Sequence, residues 1–240
     1  MKSIKDIRDL FLQKYEAEDF VIDKSSSKTI EILGESYIVD EDVIFGTLNE
    51  DYAKKELQWY LSESLNVYDI PKTPQIWRQV CDSNGYINSN YGYCVFSKEN
   101  GEQYKHCLRT LRKDKDSRRA MMHYTRPSMQ WEYNKNGMSD YMCTNHVQVL
   151  IRNNKLNYIL SQRSCDAWAG FRNDIYWAKF VHNKLLEDLK EDYPELELGT
   201  LVHQVGSLHF YERQFYLLEN YLKTGELNIS KADFDKKQWK

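Results

Sequence analysis

The sequence predicts an α+β fold: a single catalytic domain, residues 1–240, built on a large mixed β-sheet flanked by helices. Three observations carry this expectation. Strand and helix patterns are intermixed along the 240 residues without regular βαβ alternation. One pair of β-rich runs is joined by a two-residue turn signal. No Ser/Gly-rich or Pro-rich tract and no repeat separates two halves, because the 10 glycines and 4 prolines are thinly spread.

Each element has its own signal. Ile4, Ile7, Leu10, Phe11 and Tyr15 fall near helical spacing and predict an opening amphipathic helix. Residues 29–33 and 37–39 read as strands around a turn at Gly34-Glu35. Asn49 is a good N-cap for a helix carrying Leu57, Leu61 and Leu65 on one side. Residues 146–152 and 155–162 read as a hairpin, since Asn153-Asn154 tolerates left-handed turn angles. Residues 176–193 form the clearest helix, with Trp177, Phe180, Val181, Leu185, Leu186 and Leu189 in helical register. A strand over 198–210 and a helix ending before Gly225 complete the sketch.

Composition narrows the function. Hydrophobic residues make up 41% and aromatics 14%, enough for a sizeable core, although mean hydropathy is −0.73. Lys+Arg at 33 against Asp+Glu at 36 gives a net charge of −3, which argues against nucleic acid as the main partner. No apolar run approaches the roughly 18 residues of a membrane span. The segment MKSIKDIRDLFLQKY lacks the apolar core and cleavage site of a signal peptide. A soluble, cytoplasmic protein is expected. The five cysteines, Cys81, Cys94, Cys107, Cys143 and Cys165, are scattered without CxxC pairing, and the six histidines lack metal-ligand spacing. Neither a disulfide framework nor a metal is expected.

Three places could carry chemistry. Cys143 lies just before a strand, in SDYMCTNHVQ, where a polar neighbourhood can make a thiol a nucleophile; a buried inert cysteine is the ordinary alternative. Gln162-Arg163-Ser164 ends a strand, where an arginine and a hydroxyl could bind phosphate or form a strand-end ion pair. Ser117-Arg118-Arg119 could be a second anion clamp or a solvated basic turn.

Their order adds more. DSRR, a cysteine before a strand, QRSCD, a glycine, an acid and then GSLHFY resemble the thymidylate synthase family, from residue 23 to residue 211. The segments INSNYGY, YTRPSMQ, GMSDYMCTN, GFRND and VGSLH are similar to the branch of that family through which T-even bacteriophages hydroxymethylate deoxycytidylate. The resemblance implies a thymidylate synthase-like fold, dCMP as substrate and methylenetetrahydrofolate as co-substrate. It also implies a homodimer with shared active sites, in the cytoplasm of an infected host, where a nucleotide-synthesis complex is a further possible partner.

The resemblance also implies roles. Cys143 takes the place of the nucleophile that adds to carbon 6 of the pyrimidine. Glu56, in KKELQWY, matches the family glutamate that orders water and moves protons, although beside Lys54 and Lys55 it also reads as an exposed helix glutamate. Arg163 and Ser164 match phosphate-binding residues, and Arg118 and Arg119 match the arginine pair supplied by the second subunit. Lys24 stands where the family usually has arginine, and Lys28 competes with it for that assignment. His209 and Tyr211 are assigned to the deoxyribose hydroxyl. Trp77 and Asp166 are assigned to the folate, and Tyr91 to the pocket wall near carbon 5.

Asp174 bears on base choice. Thymidylate synthases have asparagine there, which can complement the N–H and carbonyl of uracil. A carboxyl group instead accepts from the amino group of cytosine and, when it shares a proton, donates to the ring nitrogen. Against uracil, a carboxylate would face a carbonyl oxygen. Asp174 also suits the N-cap of the long helix. The chain departs from the family at Met142 and Thr144, which flank the cysteine, and in ADFDKKQWK, unlike the apolar tail that closes over folate. Alternatives are a dCMP methyltransferase, a dUMP-specific thymidylate synthase, or a non-catalytic scaffold or RNA-binding regulator.

Overall fold

The computed structural model describes residues 1–22 and 26–237; Lys24 lies outside the described residues. The helices are α1 (Ile4–Glu16), α2 (Glu50–Leu61), α3 (Gln75–Val80), α4 (Tyr91–Phe96), α5 (Gln103–Lys113), α6 (Met129–Glu132), α7 (Ala169–Leu189), α8 (Phe215–Thr224) and α9 (Lys231–Lys236). The strands are β1 (Val21–Ile22), β2 (Lys28–Ile38), β3 (Met121–His123), β4 (Thr144–Arg152), β5 (Lys155–Asp166) and β6 (Glu197–Tyr211), in a sheet of order β1-β2-β6-β5-β4-β3. The fold is α+β. None of the described helices is long and apolar enough to cross a membrane. The chain divides into two compact units.

The first unit comprises Met1–Leu48, Arg163–Ala178 and Leu201–Lys240. Ser3 and Asp6 form a capping box that starts α1, and the helix buries Ile4, Ile7 and Phe11. Phe210 packs against Phe11 and Phe45 at ring separations of 5.7 and 5.4 Å. The turn expected at Gly34-Glu35 does not form. β2 runs through it, with Leu33 opposite Ser207 and Glu35 opposite Val205 on β6. Both halves of β2 pair with one strand, so a continuous ladder satisfies their backbone groups and a reversal would leave them open.

The second unit comprises Asn49–Gln162 and Lys179–Thr200. Asn49 caps α2 by accepting from Tyr52 N at 3.1 Å. The buried face of α2 is Ala53, Glu56, Trp59 and Tyr60, whereas Leu57 is half-buried, Leu61 is exposed and Leu65 lies past the helix end. The expected leucine stripe is therefore not the core face. Two aromatic rings bury more apolar area than the leucines and set the helix rotation.

The expected hairpin is present. β4 and β5 pair from Thr144↔Gln162 to Arg152↔Lys155, with φ of 51° at Asn153 and 54° at Asn154. Val147, Val149 and Ile151 on β4, with Leu156, Tyr158 and Leu160 on β5, face the core; His146, Gln148, Leu150, Ile159 and Ser161 lie half-buried on the opposite face.

α7 starts seven residues earlier than expected and ends at Leu189. Asp166 Oδ1 accepts from Trp168 N at 2.8 Å and Ala169 N at 3.2 Å, which begins the helix there. Asp174 consequently lies inside α7, a full turn past its start, and not at an N-cap.

Candidate active site

In the second unit the cysteines differ sharply in exposure. Cys81, Cys94 and Cys107 are buried, and burial pushes the thiols of Cys94 and Cys107 up to about 12, so neither supplies a thiolate near neutral pH. Cys143 is half-exposed immediately before β4, with Sγ 4.0 Å from Tyr141 O. Cys165, in the first unit, is also buried, so a nucleotide would find only Cys143 within reach among the five.

Glu56 is 5% exposed, which removes the solvated-helix reading. The rotation of α2 turns it inward, while Lys54 and Lys55 turn outward to pair with Glu50 and Asp51. Tyr52, one turn earlier, donates its hydroxyl proton to Glu56 Oε1. Trp77 Nε1 donates to the Tyr52 hydroxyl at 3.1 Å and to Glu56 Oε1 at 3.3 Å. The structure thus brings Glu56 and Trp77 together and adds Tyr52. The signal for Tyr52 was its position four residues before Glu56 on one helix face.

Tyr91 is 5% exposed, stacked on Tyr60 at 5.1 Å and edge-on to Tyr124 at 5.3 Å. α4 approaches α2 closely because residue 92 is glycine: a Cβ there would lie 1.8 Å from Tyr60 O. Asp140, which the sequence reading passed over, is 7% exposed; it accepts from Asn88 N and Ser89 N, each at 2.8 Å, and from Ser89 Oγ at 2.7 Å. It ties the segment before Cys143 to the segment before Tyr91. Its position three residues before the cysteine was visible, but its burial was not.

Arg118 and Arg119 are exposed in the loop before β3. Gln148 Nε2 on β4 donates to Arg118 O at 2.9 Å. Gln148 lies five residues along from Cys143, about 16 Å at strand rise, so the Arg118 carbonyl is held beside a β4 residue well along the strand from the cysteine.

In the first unit, the ends of β5 and β6 and the start of α7 gather the other candidates. Arg163 is exposed and Ser164 half-buried at the end of β5. Gly206 lets β6 pass close by, since a Cβ there would meet Arg163 O at 2.8 Å. Ala167 N donates to His209 O at 2.8 Å, and the His209 and Tyr211 rings meet edge to face at 5.0 Å. Burial lowers the His209 pKa, opposed first by the charge of Asp166, so its imidazole is neutral near pH 7.

Asp166 spends Oδ1 on the α7 backbone and faces Arg213 with Oδ2 at 3.7 Å. Asp174 is half-buried on α7, its Oδ2 3.9 Å from where a Gly170 Cβ would stand. This is a cationic and hydroxyl-bearing edge beside a carboxyl group, suited to an anionic nucleotide with a polar base.

Comparison with known proteins places the chain in a family. The thymidylate synthase family model matches residues 47–239. Deoxycytidylate 5-hydroxymethyltransferase of Enterobacteria phage T6 is 53% identical over 93% of this chain and 92% of its own length. The phage T4 protein of the same name is 53% identical over 90% of this chain and 89% of its own. The thymidylate synthase of Francisella philomiragia subsp. philomiragia is 26% identical over 72% and 66%, respectively. A match that spans Glu56, Cys143, the QRS segment and Asp174, at this identity and over this length, settles the lineage: the chain belongs to the thymidylate synthase family.

Proposed function

We propose that this protein is a deoxycytidylate 5-hydroxymethyltransferase, a folate-dependent one-carbon transferase that works as one catalytic domain over residues 1–240. The observation that carries the reading is near full-length likeness to phage proteins of that name, in a chain whose base-edge position holds Asp174.

The Cys143 thiolate adds to carbon 6 of dCMP, so the C5=C6 electrons make carbon 5 nucleophilic. Methylenetetrahydrofolate, when bound, supplies the one-carbon unit. Trp77 offers a half-exposed ring for it, while Asp166 would have to loosen Arg213 to reach it. Once that unit stands as an exocyclic methylene on carbon 5, water attacks it and Glu56 takes the water proton. The electrons pass into the ring and return to re-form C5=C6, and the sulfur leaves carbon 6 as thiolate. Asp174 accepts from the cytosine amino group and shares a proton with the ring nitrogen, where negative charge builds during the first addition. Arg163 and Ser164 hold the phosphate, His209 and Tyr211 the deoxyribose hydroxyl; Tyr91 backs the wall near carbon 5.

The outward placement of Arg118 and Arg119 supports a homodimer in which each chain lends its arginines to the other's phosphate. The half-buried face of β4 and β5 is a surface for that contact. Lys24 is assigned to the same phosphate. The expected setting is the cytoplasm of an infected cell.

The deciding assay supplies methylenetetrahydrofolate with either dCMP or dUMP and identifies products by mass spectrometry. Hydroxymethyl-dCMP with tetrahydrofolate is the expected outcome. Methyl-dCMP with dihydrofolate would make the protein a methyltransferase, and turnover of dUMP alone would overturn the role of Asp174.

A further inference from the structure

Glu56 is held in a specific way that the reaction outlined above does not require by itself. An indole N–H can only donate. Trp77 Nε1 points at the Tyr52 hydroxyl (3.1 Å) and Glu56 Oε1 (3.3 Å), so the Tyr52 oxygen acts as acceptor toward Trp77. The phenolic proton is directed to Glu56 Oε1. Two donors converge on one carboxylate oxygen at a residue that is 5% exposed. A protonated Oε1 would set its own proton against both.

We infer that Tyr52 is a positioning residue for the hydroxymethyl transfer: with Trp77 it pins Glu56 Oε1 as an acceptor and so sets the orientation in which the carboxylate takes the proton from the attacking water. This rests on the proposed role of Glu56. Burial alone would favour the neutral carboxylic acid, which cannot act as a base. Donors aimed at Oε1 favour the carboxylate instead, and they fix which lone pairs face the substrate. The water proton moves to the Glu56 carboxylate, the oxygen–carbon bond forms at the methylene, and the Cys143–carbon bond breaks as the ring double bond returns; no further reactant is needed.

The test is the pH dependence of kcat for hydroxymethyl-dCMP formation in the full-length protein. Tyr52→Phe keeps the ring and removes one hydrogen bond to a charged oxygen, an interaction worth about one pH unit. The acidic limb should move up by about that amount, with kcat about tenfold lower and KM for dCMP within about twofold. Site-specific 3-fluorotyrosine at position 52, a stronger donor, should move the limb the other way. A packing role for Tyr52 predicts neither shift.

Glu56→Gln separates the two claims. If its residual activity loses the acidic limb while Tyr52→Phe leaves the limb in place, the inference about Tyr52 is overturned and Glu56 keeps its role. If Glu56→Gln retains both rate and limb, the role of Glu56 falls, and that of Tyr52 with it.

Discussion

Exchanging Asp174 for asparagine alters a single side-chain group, yet it should change which pyrimidine is processed. The amide cannot share a proton with the ring nitrogen of cytosine, and its amino group can face the cytosine amino group, donor against donor. Toward uracil the same amide accepts from the ring N–H and donates to the carbonyl. Since the shared proton matters most as charge develops on addition of Cys143, the loss falls on the transition state. Asp174→Asn should lower kcat/KM for dCMP by about 10²–10³-fold, the usual cost of one preorganised donor, and raise turnover of dUMP. Competition assays with both nucleotides measure it; an unchanged preference would remove Asp174 from the base site. Asp174 lies within α7 and Asp166 takes the backbone N–H groups at the helix start, so no capping is lost in this variant.

The packing of α4 on α2 links two candidate site residues through backbone alone, because α2 carries Glu56 and α4 carries Tyr91. Gly92→Ala would put a methyl group 1.8 Å from Tyr60 O and 2.4 Å from Tyr60 C. Backbone cannot swing aside as a flexible side chain can, so the helices must separate. The expected loss is about 1–3 kcal/mol, or a fall in Tm of about 2–4 °C per kcal/mol, with a lower kcat in the protein that remains folded. Thermal melts with a parallel rate measurement check both; an unchanged Tm would mean that α4 relaxes at no cost. Elements differ in how far the sequence betrays them. Asn49 and Asn153-Asn154 are local signals that act through their own backbone, and they place α2 and the β4–β5 turn correctly. The rotation of α2 was hidden because it depends on where Trp59 and Tyr60 find partners, and Glu56 looked solvated for the same reason. The run through Gly34 was equally hidden, since pairing with β6 is a long-range event. α3, α4 and α6 are too short for a helical period to stand out. In the site, Cys143 and Arg163 could be singled out from their neighbours, Glu56 and Asp174 needed the family resemblance, and Tyr52 and Asp140 needed three dimensions.

At the scale of the whole molecule, acid and assembly are the levers. His203 is fully buried, with Nδ1 2.7 Å from the Tyr37 hydroxyl, and burial lowers its pKa to about 3. His182 is also lowered, by burial against a bond to Leu156 O. Below pH 6.5 the unfolded chain takes up protons that the folded chain refuses, so stability must fall with pH, at up to about 1.4 kcal/mol per pH unit for His203. Urea midpoints should drop between pH 6.5 and 4.5, with a shallower drop in His203→Phe; equal slopes would mean that His203 protonates in place. Assembly can be tested by mixing two inactive proteins. In the proposed dimer, Arg118→Ala/Arg119→Ala keeps the cysteine but removes the arginines proposed to be lent to the phosphate, and in Cys143→Ala the reverse holds. If each chain's arginines serve the partner's nucleotide, a heterodimer has one site with both the cysteine and the clamp restored. Random reassortment makes about half the dimers heterodimers, so about a quarter of wild-type activity should return. If the arginines served their own chain, both sites of the heterodimer would stay defective and mixing would restore nothing. Recovery therefore depends on which subunit the arginines face; both are exposed, and Arg118 O is bonded to Gln148, itself about 16 Å along the strand from Cys143, which predicts that activity returns.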